Sequence, residues 1–111
     1  MAVLEALAMA CPVVITPACS FPQVPQLGCG LVVDPTESEV AQALRGLLSR
    51  SPEERAAMGA KGAELVRSRY SWPVIGRQMA EVYDWLLGER SMPETVHLAH
   101  AKDALERECT A

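Results

Sequence analysis

One carboxylate, Glu5, interrupts an otherwise apolar opening run, Met1-Ala2-Val3-Leu4-Glu5-Ala6-Leu7-Ala8. A carboxylate on a short apolar helix is costly to bury without a hydrogen-bond partner, so two roles are open to it. It either points to water near the positive end of the helix dipole, where acids stabilise, or accepts hydrogen bonds from a pair of ligand hydroxyls at the mouth of an α/β sheet. Other reactive side chains carry weaker signals. His97 and His100 share a helical face, but no second pair of ligands lies nearby in sequence, and no metal site is expected. Cys11, Cys19, Cys29 and Cys109 contain no Cys-x2-Cys pair, which fits neither a zinc site nor a disulfide framework and reads as reduced, small-hydrophobe use in a cytoplasmic chain. Asp34 and Thr36 follow a strand, where α/β folds place sites, yet either is a ready cap for the next helix. Arg55, Lys61, Arg67 and Arg69 are interspersed with Glu53, Glu54 and Glu64, the pattern of a solvated face rather than of a phosphate site.

The elements that must position these groups are legible in part. Residues 1–8 are strong helix formers, Pro12 cannot continue a helix, and Val13-Val14-Ile15 prefers a strand, so the chain opens as helix, sharp turn, buried strand. Three prolines, Pro17, Pro22 and Pro25, leave a loop with one helical turn starting near Ser20 or Pro22. Gly30-Leu31-Val32-Val33, bounded by Gly28 and Pro35, reads as a second buried strand, parallel to the first because a crossover separates them. Val40, Ala43, Leu44, Leu47 and Leu48 mark the core face of a helix from Thr36 to Arg50. Ser51-Pro52-Glu53-Glu54 starts another, running to about Tyr70, in which Gly59 and Gly62 point to close helix packing. Ser71-Trp72-Pro73 repeats the start signal, and Trp72, Ile75, Met79, Val82 and Leu86 give a long closing helix whose Trp72 and Tyr83 are expected to serve packing. Residues 88–111 form a loosely attached tail in which Ala99, Ala101, Ala104 and Leu105 allow a further helix.

Val3-Leu4-Glu5-Ala6-Leu7-Ala8, Pro12-Val13-Val14-Ile15-Thr16, Pro22 and Gly30-Leu31-Val32-Val33 resemble the donor-binding half of the retaining glycosyltransferases of family 4, which have the GT-B fold of two Rossmann domains. The resemblance implies an α/β fold, a partial Rossmann-like donor-binding domain of two short parallel strands and several helices, over residues 1–87. It implies that Glu5 holds the ribose hydroxyls of a nucleotide diphosphate-sugar and that backbone N–H groups at the start of the helix, across Met1, Ala2, Val3 and Leu4, face the diphosphate, as an anion at a helix N-terminus does. By the same resemblance the reaction transfers a sugar to a glycan or lipid-linked acceptor hydroxyl with retention and needs no metal or other cofactor. The family's first glutamate falls before residue 1, and its phosphate-neutralising basic residues lie upstream. The chain is therefore expected to be the C-terminal part of a longer enzyme, inactive alone, with the acceptor site and any peripheral membrane association supplied by the rest. Three departures stand out: Ala10 replaces a helix-ending glycine, Cys19 and Ser20 replace a Gly-Gly pair, and Gln23 replaces a glutamate.

Composition narrows the alternatives. Half of the 111 residues are apolar and 22% are charged, which excludes a disordered chain. A net charge of −4 gives no basic footprint for nucleic acid, and no apolar run is long enough to cross a bilayer. The start lacks the basic region of a secretory signal. Two other readings remain open from sequence: a non-catalytic nucleotide-binding module, and an association module working through the closing helix.

Overall fold

Helix α1 spans Ala2–Ala8 and ends in a Schellman motif: Cys11 N–H donates to Ala6 O at 3.0 Å and Ala10 N–H to Leu7 O at 2.9 Å. That motif needs its penultimate residue in the left-handed region, and Ala10 occupies it at φ 55°. The chain then turns through Pro12 into β1, Val13–Ile15. Among the described residues two later helices close the same way, with glycine at the equivalent point: Gly28 at φ 64° and Gly88 at φ 80°. Alanine there carries a steric penalty that glycine does not. Ala10→Gly is therefore expected to raise stability by about 0.5–1 kcal/mol after the extra unfolded-state entropy of glycine, read as a higher urea midpoint at unchanged slope.

The structure, a computed structural model, describes residues 2–97. After β1 a 3-10 turn, Pro17–Cys19, leads to Ser20 in the left-handed region, then to α2, Gln23–Leu27, and β2, Gly30–Val32. The proline-rich segment thus holds two short helical pieces rather than one. β1 and β2 pair in parallel with Val13 opposite Gly30 and Ile15 opposite Val32. α3, Glu37–Leu48, is capped by Thr36, whose hydroxyl accepts from Glu39 N–H at 3.3 Å; Asp34 does not serve as the cap. Its buried face is narrower than the sequence pattern, since Ala43 and Leu47 are buried while Leu44 and Leu48 are exposed.

α4, Pro52–Leu65, begins in a reciprocal capping box: Glu54 N–H donates to Ser51 Oγ at 3.1 Å and Ser51 N–H to Glu54 Oε2 at 2.9 Å. It continues into a π turn, Val66–Tyr70, that sets Tyr70 against Phe21, ring centroids 5.5 Å apart. The core is Leu7, Val13, Ile15, Val24, Cys29 and Leu65, with Val3, Ala6, Phe21, Val66 and Tyr70 packed on it. α4 runs antiparallel to α1, passing Ala10 at Gly59 and Leu7 at Gly62. The result is a helix-dominated α/β arrangement around two short parallel strands.

The chain divides into two compact units, Met1–Trp72 and Pro73–Ala111. α5, Trp72–Leu86, carries no buried residue, and within the second unit Arg90 pairs with Glu81 at 3.2 Å. Trp72 and Tyr83 are 82% and 58% exposed, so the packing role expected of them is not met among the described residues. The tail helix expected within 88–111 lies largely outside the described residues.

Candidate functional site

Only short elements hold Glu5, and they fix its direction. Leu7 is fully buried and Val3 and Ala6 pack on the core, so the inward face of α1 is settled. Glu5, two residues from Leu7, is turned by about 200° and lies on the reverse face. Its carboxylate is exposed, with no ion pair or side-chain hydrogen bond among the described residues. It is neither locked in an internal salt bridge nor committed to a cap, and its acceptor oxygens remain available.

The turn after α1 sends β1 back along the helix. A seven-residue helix and a three-residue strand each span about 10 Å, so the first turn of α1 and the carboxyl end of β1 both lie about that far from the connection between them. Ala2, Val3 and Leu4 lie in that first turn; Met1 lies outside the described residues. At the carboxyl ends of both strands, beyond Ile15 and Val32, there is a hollow of ≈ 240 Å³. Its walls include Phe21 and three prolines, and its polar side chains are the hydroxyls of Thr16 and Ser20. Sequence reading did not single out Thr16 or Phe21. The available signal was their position directly after a strand, where α/β sheets open to ligands.

The electrostatics of this edge are one-sided. Residues 1–44 contain Glu5, Asp34, Glu37 and Glu39 but no lysine, arginine or histidine. The cations of α4 and of the π turn after it are placed elsewhere or engaged: Arg55 donates to Leu48 O at 2.9 Å, and Arg67 pairs with Glu64. Among the described residues no cation lines the hollow. The hollow is mainly apolar, Thr16 and Ser20 supply its hydroxyls, and Glu5 is not among the residues that line it.

Residues 1–81 match the family described as glycosyl transferase-like. The chain belongs to that family. No curated protein and no solved structure gives a significant match. The matched span of this glycosyl transferase-like chain runs from α1 into α5, covering Glu5, both strands and the capped helices, and the two-stranded parallel unit is consistent with a Rossmann-like glycosyltransferase domain. Membership implies a sugar donor and an acceptor as substrates.

Among the described residues no three metal-ligating side chains converge; His100 lies outside them, so the His97–His100 pair does too. No described helix is long and apolar enough to cross a membrane. Cys29 is buried against Leu7 and Val24, and its Sγ lies 3.6 Å from Val24 O. Burial pushes its thiol above the ordinary value, only partly offset by its backbone hydrogen bond and by Lys61. The native state thus keeps Cys29 protonated to higher pH than the unfolded chain. The stability this contributes is complete below about pH 9 and is lost as pH rises through the raised native value. Iodoacetamide is expected to label exposed Cys11 and Cys19 in the native chain and to reach Cys29 only after unfolding. Native labelling of Cys29 at the rate of Cys11 would contradict that packing.

Proposed function

We propose that this chain forms part of the donor-binding domain of a retaining glycosyltransferase of the GT-B, family 4 kind, using a nucleotide diphosphate-sugar. What supports the reading is an exposed carboxylate, Glu5, without an ion pair or side-chain hydrogen bond among the described residues, on the helix that leads into β1, in a stretch matching the glycosyl transferase-like family. In this reading Glu5 accepts from the two ribose hydroxyls, and the N–H groups of Met1, Ala2, Val3 and Leu4 face the diphosphate. An ionised acceptor taking two hydrogen bonds holds the diol in one orientation and sets where the sugar carbon lies. The transfer itself depends on stabilising the departing diphosphate, whose charge grows as the bond to the sugar breaks. Residues 1–44 offer no cation for that purpose, so the neutralising groups come from outside them. The acceptor is a glycan or lipid-linked hydroxyl held by another part of the enzyme, and the 111 residues alone are expected to leave nucleotide-sugars unhydrolysed and untransferred.

Calorimetric titration of the chain with uridine, adenosine and guanosine diphosphates, set against Glu5→Ala, tests the assignment. Loss of a charge-assisted pair of hydrogen bonds is expected to weaken the preferred nucleotide by about 30-fold. Equal binding by both proteins removes Glu5 from the site, and turnover by the isolated chain refutes its predicted inactivity.

A further inference from the structure

The outer edge of β2 is unspent. In the parallel register that sets Val13 opposite Gly30 and Ile15 opposite Val32, alternate residues of the second strand bond to β1: Cys29 O accepts from Val13 N–H, and Val33 N–H donates to Ile15 O. Leu31 completes that inner series. The N–H and C=O groups of Gly30 and Val32 therefore face the other way, and among the described residues neither a strand nor a turn or loop backbone bonds to them. A hollow of ≈ 470 Å³ borders all three residues of β2, with Arg50, Met58 and Lys61 also lining it. Gly30 is buried although it lines the hollow, so the edge is recessed rather than projecting. Lys61 Nζ stands 3.7 Å from the place a Cβ on Gly28 would take, at the entry to β2. Neither Lys61 nor Arg50 has an ion pair among the described residues, and no aspartate or glutamate lines the hollow.

The pattern of these groups selects the occupant. Donors and acceptors alternating along an extended edge are matched by another extended backbone. A small anion does not match them, because the carbonyls repel it, and a helix does not, because its backbone groups are spent internally. A second folded copy is disfavoured by the recess and by length: β2 has three residues, about 10 Å, and two such edges meeting bury far less than the roughly 1,200 Å² of a stable interface. Charge then selects the kind of strand. Cations beside a short edge deter pairing with a neutral or basic strand, and the same cations, lacking acidic partners, attract one that carries carboxylates.

We propose that the outer edge of β2 takes up an extended acidic peptide as a third strand, Gly30 and Val32 exchanging main-chain hydrogen bonds with it while Lys61 and Arg50 hold its carboxylates. The site does not use Glu5 and does not depend on the sugar-transfer reading. The test is titration of the 111-residue chain with the acetylated and amidated peptide Glu-Glu-Val-Thr-Val-Thr-Glu-Glu, followed by calorimetry and by amide hydrogen exchange. Saturable one-to-one binding is expected. At saturation the Gly30 and Val32 amides should slow by about tenfold or more, well beyond Leu31 and Val33, which are already bonded to β1. Lys61→Glu and Val32→Pro should each weaken binding by about tenfold or more. The proline removes an outward-facing N–H and leaves the ladder to β1 whole, and thermal melts check that both variants fold. A peptide with lysine at the four glutamate positions, and the acidic peptide N-methylated at its valines and threonines, should each bind more weakly by about tenfold or more. The proposal is overturned by equal binding of either control peptide, by an unchanged affinity in folded Lys61→Glu or Val32→Pro, by Gly30 and Val32 amides that gain no protection, by no binding at all, or by a dimer of the chain that occupies the edge and excludes the peptide.

Discussion

Gly59→Ala is expected to cost the first unit about 3 kcal/mol, although alanine is the better helix former by about 1 kcal/mol. A Cβ on Gly59 would fall on the carbonyl group of Ala10, with the carbonyl carbon 2.6 Å away. The obstacle is backbone, so no side chain can swing aside, and either α4 or the turn closing α1 must shift as a body. Gly62→Ala meets a softer neighbour, Leu7 Cδ2 at 2.6 Å, but Leu7 is fully buried and has little room to rotate, so a loss of about 1–3 kcal/mol follows. Gly46 in α3 has nothing within 4 Å of its Cβ position, and Gly46→Ala should instead raise stability by up to about 1 kcal/mol. Urea unfolding of the three variants gives the ranking directly. A Gly59→Ala protein as stable as the parent would mean that α4 is not seated on the α1 turn.

What the sequence discloses about this fold follows how local each cause is. Pro12 and Val13-Val14-Ile15 act through their own backbone preferences, and the helix-turn-strand unit is found where they put it. Ser51 and Glu54 form their capping box within four residues and are equally readable. Asp34 and Thr36 both offer a cap oxygen, and only the entry angle of α3 decides for Thr36. The π turn at Val66–Tyr70 has no signature in spacing; it accompanies the seating of Tyr70 on Phe21, a partner almost fifty residues earlier. Ala10 and Ser20 hide two left-handed residues behind side chains that rarely adopt that region, so the turns are visible only against a pattern that has glycine there. In the candidate site, the type and position of Glu5 are plain in sequence, while its freedom from partners is not. The hollow of Thr16, Ser20 and Phe21 is less accessible still, because it is assembled from the ends of two strands and an intervening turn. Trp72 and Tyr83 show the reverse error: a helical stripe fixes which face is apolar, not what covers it.

Gly30→Ala should have a comparable effect at the sheet itself, with a loss of about 2–3 kcal/mol. Gly30 is buried in β2 opposite Val13, and its missing side chain leaves the space that Val13 and Val24 occupy. An added Cβ would lie 2.7 Å from Val13 Cγ2 and 2.8 Å from Val24 Cγ1, and would also press on the Val13 carbonyl. The two methyl clashes can be relieved by truncation; the carbonyl clash cannot, because that oxygen belongs to the paired strand. Val24→Ala alone opens a cavity and is destabilising, yet combined with Gly30→Ala it should recover about 1 kcal/mol relative to the sum of the two losses. Hydrogen exchange locates the damage. Val13 N–H donates to Cys29 O at 3.4 Å and Val33 N–H to Ile15 O at 2.9 Å, so these two amides report on both ends of the strand pair. In Gly30→Ala both should exchange about 30- to 160-fold faster, in proportion to the lost stability. If they keep their parental protection, β2 does not pack against β1 at this register, and the hollow beyond Ile15 and Val32 is built differently from the one described.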